Sequence, residues 1–336
     1  MDNTNIKALY CRRPHTVIIG AGASRAVMGE ICPTMNDAIK QVGLDESLIG
    51  VKLQTESKNL EEIYSELFRR GDECKNVRLN MEKALYNYFT EVNLPDTLTI
   101  YDQLILSLTK KDCILSFNWD SLLIQAYNRV KRITQNRPEM YFLHGNVGAG
   151  VCEDCMQFGP IQNYCRKCGK PLKPVPILYP VEQKDYNSNI FIRDQWIAAK
   201  DYIARAGEVT IFGYSAPSSD REASDILKSA FSQNEIGHKY DTVEIIERPG
   251  FKQEDISDTW KYFFSVVSNK KQIINSFYDS DLAIAPRRTL QYNFKRIEGW
   301  WDIPKISFSK NDTFESVKKL LSPLLINEEN GNYDVV

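Results

Sequence analysis

Short β-branched runs alternate along this chain with longer segments of helical periodicity, and that alternation restricts the fold more than any other feature. "HTVIIGAGAS" (15–24) reads as a buried strand that stops in a glycine turn. "DCILSFN" (112–118), "MYFLHG" (140–145), "VPILY" (175–179), "EVTIFGYS" (208–215) and "DTVEIIER" (241–248) read as further strands. Leu60, Ile63, Tyr64, Leu67 and Phe68 recur at helical spacing, and Leu98, Tyr101, Leu104, Ile105 and Leu108 do so again. Helices are also predicted over 120–130, 185–206, 220–231 and 313–325. The pattern predicts an α/β fold: a Rossmann-like, doubly wound parallel sheet. Residues 1–250 form the main domain on this reading, with a helical insertion over about 34–110. Residues 251–336 form a mainly helical extension.

In such a sheet the ligand lies outside the carboxyl ends of the strands. Gly20–Ser24, Asn118, His144, Gly213–Ser215 and Glu247 all fall at predicted strand ends. Gly20, Ala21 and Gly22 would let a backbone approach a pyrophosphate, with Ser24 adding a hydroxyl. Arg25 stands where the usual dinucleotide fingerprint has a third glycine, and a ligand-free tight turn is the other reading. Asn118 and Asp120 flank Trp119 where strand gives way to helix. Either could cap that helix, which would leave the other for chemistry. His144 is a satisfied structural histidine or a base. Glu247 could accept two ribose hydroxyls or pair with Arg248.

Cys152, Cys155, Cys165 and Cys168 form two Cys-x-x-Cys pairs with nine residues between them. Four thiolates at that spacing close a tetrahedral zinc site, structural because no position stays open. The module spans about 146–175. Disulfides are the alternative, disfavoured in a reducing compartment. Cys11, Cys32, Cys74 and Cys113 read as ordinary thiols.

The net charge of −2 supplies no global field for nucleic acid or acidic membranes, and no direct nucleic-acid binding is expected. The basic stretch "PRRTLQYNFKR" (286–296) reads as a solvated face. No apolar run approaches the roughly 18 residues of a membrane span. The first residues lack the apolar core of a secretory signal, so the cytoplasm is the expected compartment.

Taken in order, these features resemble the sirtuin family. The carrying residues are GAGAS (20–24), Phe-Asn-Trp-Asp (117–120), His144-Gly145, the four cysteines, Gly-Tyr-Ser (213–215) and Ile-Glu-Arg (246–248). The resemblance spans roughly 15–250. It implies NAD bound between a Rossmann-like domain and a small zinc-bearing domain, and cleavage of the nicotinamide–ribose bond. It further implies that His144 and Asn118 are catalytic and that Asp120 grips the nicotinamide carboxamide. Gly20, Ala21, Gly22, Ser24, Gly213 and Ser215 would hold the phosphates and ribose, with Glu247 on the adenosine ribose. The chain departs from the protein deacylases of the family. "MGEICPTMND" lacks their Phe-Arg, Phe117 replaces their glutamine, and "YPVEQ" stands in place of their Phe-Gly-Glu. It is similar to divergent bacterial sirtuin-like proteins of anti-phage defence, which hydrolyse NAD.

Three functions compete. The first is a regulated NAD hydrolase, expected as a homo-oligomer and, by analogy, paired with a partner such as a ring-shaped ATPase. The second is an NAD-dependent protein-lysine deacylase. The third is a non-catalytic NAD or ADP-ribose sensor.

Overall fold

The structure is a computed structural model that describes residues 12–180, 186, 189–217, 220–232, 240–265, 267–300 and 306–333. Cys11 and residues 181–183 of the "YPVEQ" segment lie outside the described residues. The strands are β1 (His15–Ile19), β2 (Cys113–Ser116), β3 (Glu139–Phe142), β4 (Ala149–Cys152), β5 (Gln157–Pro160), β6 (Lys173–Pro174), β7 (Glu208–Phe212), β8 (Tyr240–Ile246) and β9 (Val267–Ile274). The longer helices are α1 (Ala21–Met28), α2 (Leu60–Arg69), α3 (Lys75–Glu91), α4 (Ile100–Leu106), α5 (Leu122–Arg129), α6 (Ile190–Arg205), α7 (Arg221–Ser232), α8 (Asp258–Ser265), α9 (Thr289–Ile297) and α10 (Phe314–Glu329).

Six strands form one sheet in the order β3-β2-β1-β7-β8-β9, and every neighbouring pair is parallel. Counted within the sheet alone, the order is 3-2-1-4-5-6, that of the Rossmann fold. Strand direction reverses its build-up between β1 and β7, so the crevice opens there. Val17, Ile18, Ile114, Leu115, Val209 and Ile211 are fully buried. Both faces of these strands carry helices, which explains continuous apolar runs where an exposed sheet would alternate.

Two strand expectations change. "VPILY" is irregular, because Pro176 interrupts the donor row a strand needs. It runs as a strap instead, with Leu178 N–H donating to His144 O at 2.9 Å. The segment after 250, read as mainly helical, also supplies β9. That edge strand reads "VSNKKQII", and its polar centre hides the pattern. The basic stretch at 286–296 is corrected as well. Arg287 and Arg288 are buried, and both pair with Glu328 of α10.

A second cluster lies apart from the main core. Leu60, Ile63, Leu67, Met81 and Leu85 of α2 and α3 pack together, and Trp119 and Val147 close that cluster. The small sheet is antiparallel, in the order β5-β4-β6, and carries the four clustered cysteines.

Candidate functional site

The two glycine turns at the switch point mesh backbone against backbone. Gly20 N–H donates to Phe212 O at 3.1 Å, and Gly22 N–H to Gly213 O at 2.9 Å. A Cβ on Gly22 would lie 2.7 Å from Gly213 Cα. One on Gly213, whose φ is +60°, would lie 2.3 Å from Ala23 N. Ala23 N–H returns to Gly20 O at 2.9 Å. The glycines are therefore required by turn packing, and the N–H groups of Gly20, Gly22 and Ala23 are spent on carbonyls within the protein.

One layer deeper lies a buried polar network. Gly20 O can only accept, and Asn118 Nδ2 lies 2.9 Å from it. This fixes the amide orientation. The second hydrogen of the same nitrogen is shared between Ser24 Oγ at 2.9 Å and Tyr101 Oη at 3.1 Å. Ser24 Oγ in turn donates to Asp120 Oδ2 at 2.7 Å. Its single hydrogen is then used, so Tyr101 donates to it across 2.8 Å. With its NH2 edge held inward, Asn118 turns its Oδ1 edge away from this cluster.

Neither capping candidate holds the cap position, which is Ser121. Asp120 Oδ1 accepts from Leu122 N–H at 3.1 Å across the turn that leads into α5, while Asn118 bonds away from that helix. Burial raises the Asp120 carboxyl above its usual range, opposed by the Ser24 and Leu122 donors. Asn146 ties the corner together: its Nδ2 donates to Asp120 O at 2.5 Å and Asn118 O at 3.3 Å.

Above this network is a pocket. Ala21, Ser24, Phe117, Asn118, Trp119 and Asp120 form its inner wall. Pro33, Met35, Leu60, Leu85 and Phe89 form the wall opposite. Residues 34–110 thus supply Thr34, Met35, Ala38, Leu60, Leu85 and Phe89 of its lining.

His144 lies beside the pocket rather than in its wall. Phe117 bridges the two: it lines the pocket and packs perpendicular to the His144 ring at 4.8 Å. Phe117 also stacks on Tyr214, with ring centroids 3.8 Å apart. His144 Nε2 lies 3.0 Å from Asp220 Oδ2 and 3.0 Å from Tyr186 Oη. Tyr186 O–H donates to Asp220 Oδ1 at 2.6 Å. Gly145 follows because a Cβ there would lie 1.9 Å from Pro176 O, at a φ of +77°. Ser215 is exposed past Gly213. Glu247 follows β8, its N–H donating to Ile274 O at 2.9 Å, and burial raises its carboxyl above the usual range.

Asn118, Asp120, Ser24 and Ala21 therefore share one pocket, whereas His144, Ser215 and Glu247 stand at neighbouring strand ends. Sequence reasoning missed Tyr101, Asn146, Tyr186 and Asp220. Tyr101 was legible only as a core residue at helical spacing. Asp220, directly before α7, looks like any helix-starting acid.

The sulfur atoms of Cys152, Cys155, Cys165 and Cys168 all lie within 4.8 Å of one another. Cys152 and Cys168 Sγ are 3.6 Å apart. Four Zn–S bonds of about 2.3 Å in a tetrahedron place sulfurs just under ~4 Å apart, so the cluster fits zinc. All four thiols are free of disulfides.

No family model matches the chain, and no curated protein matches it. Among solved structures it is similar to a mutant Sir2 homologue in complex with ADP-ribose, at 14% identity and a TM-score of 0.38, over 90% of this chain and 100% of that one. It is similar to a Sir2 bound to acetylated peptide, at 14% identity and a TM-score of 0.38, over 89% and 98%. It is also similar to a Sir2 homologue–NAD complex, at 16% identity and a TM-score of 0.34, over 79% and 94%.

Proposed function

We infer that the chain hydrolyses NAD at the nicotinamide–ribose bond. The observation that carries this reading is Asn118, a buried amide held in one orientation at the switch point of a Rossmann sheet, beside an acid and one strand from a histidine. A neutral amide orients water or a ribose hydroxyl without adding charge to the oxocarbenium-like state.

Nicotinamide leaves neutral, taking the electron pair of the C1′–N bond. The oxygen of a water molecule bonds to C1′. The proton it loses passes to His144, whose ring Asp220 and Tyr186 hold in place. Asp120 accepts from the carboxamide NH2. The products are nicotinamide and ADP-ribose. Ser215, the glycine turns and Glu247 hold the remainder of the dinucleotide. Zinc on the four cysteines would fix the small sheet, which reaches the site through the His144–Val147 corner.

Following the sequence resemblance, we place this activity in anti-phage defence by NAD depletion, in the cytoplasm. The enzyme would be an oligomer held in check until a signal or partner such as a ring-shaped ATPase releases it, because unchecked hydrolysis would exhaust the host's own NAD. The expected experiment is product analysis. Wild type under activating conditions converts NAD to nicotinamide and ADP-ribose, with no dependence on an acetylated peptide. Asn118→Ala and His144→Ala stay folded and lose about 10²–10⁴-fold in rate. Full rate in both variants, or O-acetyl-ADP-ribose formed from an acetylated peptide, would overturn the reading.

A further inference from the structure

Helix α6 has an inner face that the fold uses. Gln195 Oε1 accepts from Phe142 N–H at 3.0 Å, and Trp196 Nε1–H donates to Leu143 O at 3.2 Å, which steadies the end of β3 that leads to His144. Phe191, Ile192, Ala199 and Ile203 are buried on the same helix. The outer face nevertheless carries Ile190 and Ile197, which are 45% and 58% exposed. Seating α6 in the fold does not call for either.

The charges around those isoleucines are sorted by sign. Successive helical residues turn by about 100°, so positions seven apart fall nearly in line. Ile190 and Ile197 make such a line down the outer face. Arg193 and Lys200, also seven apart, run along one side of it, and Asp194 and Asp201 run along the other. Arg193, Lys200 and Asp201 are exposed and Asp194 is partly so. A helix that only meets water gains by placing opposite charges three or four residues apart. On this face only Asp201 and Arg205 are paired in that way, and the two rows beside the isoleucines each keep a single sign.

A surface of this kind matches a copy of itself. A two-fold axis running along the helix sets two α6 helices side by side and parallel. Ile190 and Ile197 then each meet their own counterpart. The basic row of either copy faces the acidic row of the other. An antiparallel pair would instead set basic row against basic row and acidic against acidic. We propose that the outer face of α6 is a homodimer interface, occupied by the same face of a second copy in parallel. The proposal gives the oligomer a specific surface and stands on α6 alone, independent of the reaction that the pocket carries out.

Sedimentation of the full chain over a range of concentrations tests it. The wild type self-associates through a dimer that weakens as salt is added. Arg193→Glu combined with Lys200→Glu makes both rows acidic, and Asp194→Lys combined with Asp201→Lys makes both rows basic. Each double variant should raise the dissociation constant about 10- to 100-fold. An equimolar mixture of the two should regain association, because every row again meets the opposite sign. Ile197→Glu should weaken association as well, and melting temperatures verify that each variant is folded. A wild type that stays monomeric at every concentration would overturn the proposal and leave this face to a different protein. Association that survives both reversals would also overturn it, as would a mixture that stays as dissociated as its components.

Discussion

Asp220, the residue before α7, places its Oδ2 3.0 Å from the Nε2 of His144, two residues beyond the end of β3. Both are more than nine-tenths buried, and Tyr186 O–H occupies the second carboxylate oxygen at 2.6 Å. A carboxylate so placed fixes the ring's orientation and tautomer. Asp220→Asn keeps the shape and removes the charge. Nicotinamide release should fall about 10²–10⁴-fold with little change in NAD affinity, as separate rate and titration measurements will show. Unchanged turnover in a folded Asp220→Asn would remove Asp220 from the mechanism.

The meshed glycines predict a sharp stability effect. Gly213→Ala adds a Cβ 2.3 Å from Ala23 N at a φ of +60°. Left-handed backbone and overpacking together should cost about 2–5 kcal/mol, read as a lowered midpoint in urea. Gly250→Ala is the control, because its φ is +87° but nothing lies within 4 Å of the added atom. It should cost only about 1–2 kcal/mol.

Glu328 is the shared partner of Arg287 and Arg288, at 2.5 and 2.8 Å. Arg287 also donates to Leu108 O at 3.0 Å and Asn136 O at 3.0 Å, pinning α10 to the main sheet's flank. Glu328→Ala strands two buried guanidiniums and should destabilise by about 3–5 kcal/mol in chemical denaturation. Burial pushes this carboxyl up, but the two guanidiniums prevail and its pKa is lowered. Its contribution is therefore present above the ordinary glutamate pKa of 4.5 and fades as pH falls below it.

A second buried group gives the opposite slope. Burial, and then the charge of Asp281, raises Glu244 to about 8. The folded state holds that proton from pH 4.5 to about 8 while the unfolded chain has released it. Stability from this group is full below 4.5 and is lost as pH rises through 8. Glu208, raised to about 7, has the same sign. His15, held by burial at about 4, opposes it between 4 and 6.5. Glu244→Gln should therefore shrink the loss of stability between pH 5 and pH 8 by about 1–4 kcal/mol, followed as melting temperature against pH.

The cysteine cluster predicts about one zinc per chain by elemental analysis. Cys165→Ser, or a strong chelator, should lower the melting temperature before it changes turnover by any independent route. Protein purified with no zinc and full stability would exclude the metal.

The sequence revealed the strand ends because a strand buried on both faces is written locally, in apolar runs such as "VTIF" that stop in glycine. It also revealed the cysteine pairs, whose spacing is itself the geometry. β9 was hidden because an edge strand with Asn269, Lys270, Lys271 and Gln272 needs no apolar run. Arg287 and Arg288 were misread because the acid that neutralises them comes from another helix, and no local pattern carries that fact. The same limit concealed Tyr101 and Asp220. Each acquires a partner, Asn118 or His144, only once the sheet has brought distant segments together.

The interlocked turns at Gly22 and Gly213 have a mechanical consequence. With backbone seated on backbone and no side chain between, the two halves of the six-stranded sheet share a hinge pin that cannot slide. Shear between them would drive Gly213 Cα into the start of α1. The platform beneath the pocket therefore behaves as a fixed anvil. On the proposed function, the compliance for admitting a dinucleotide falls to α2 and α3, whose Leu60, Leu85 and Phe89 line the pocket and belong to a cluster apart from the main core.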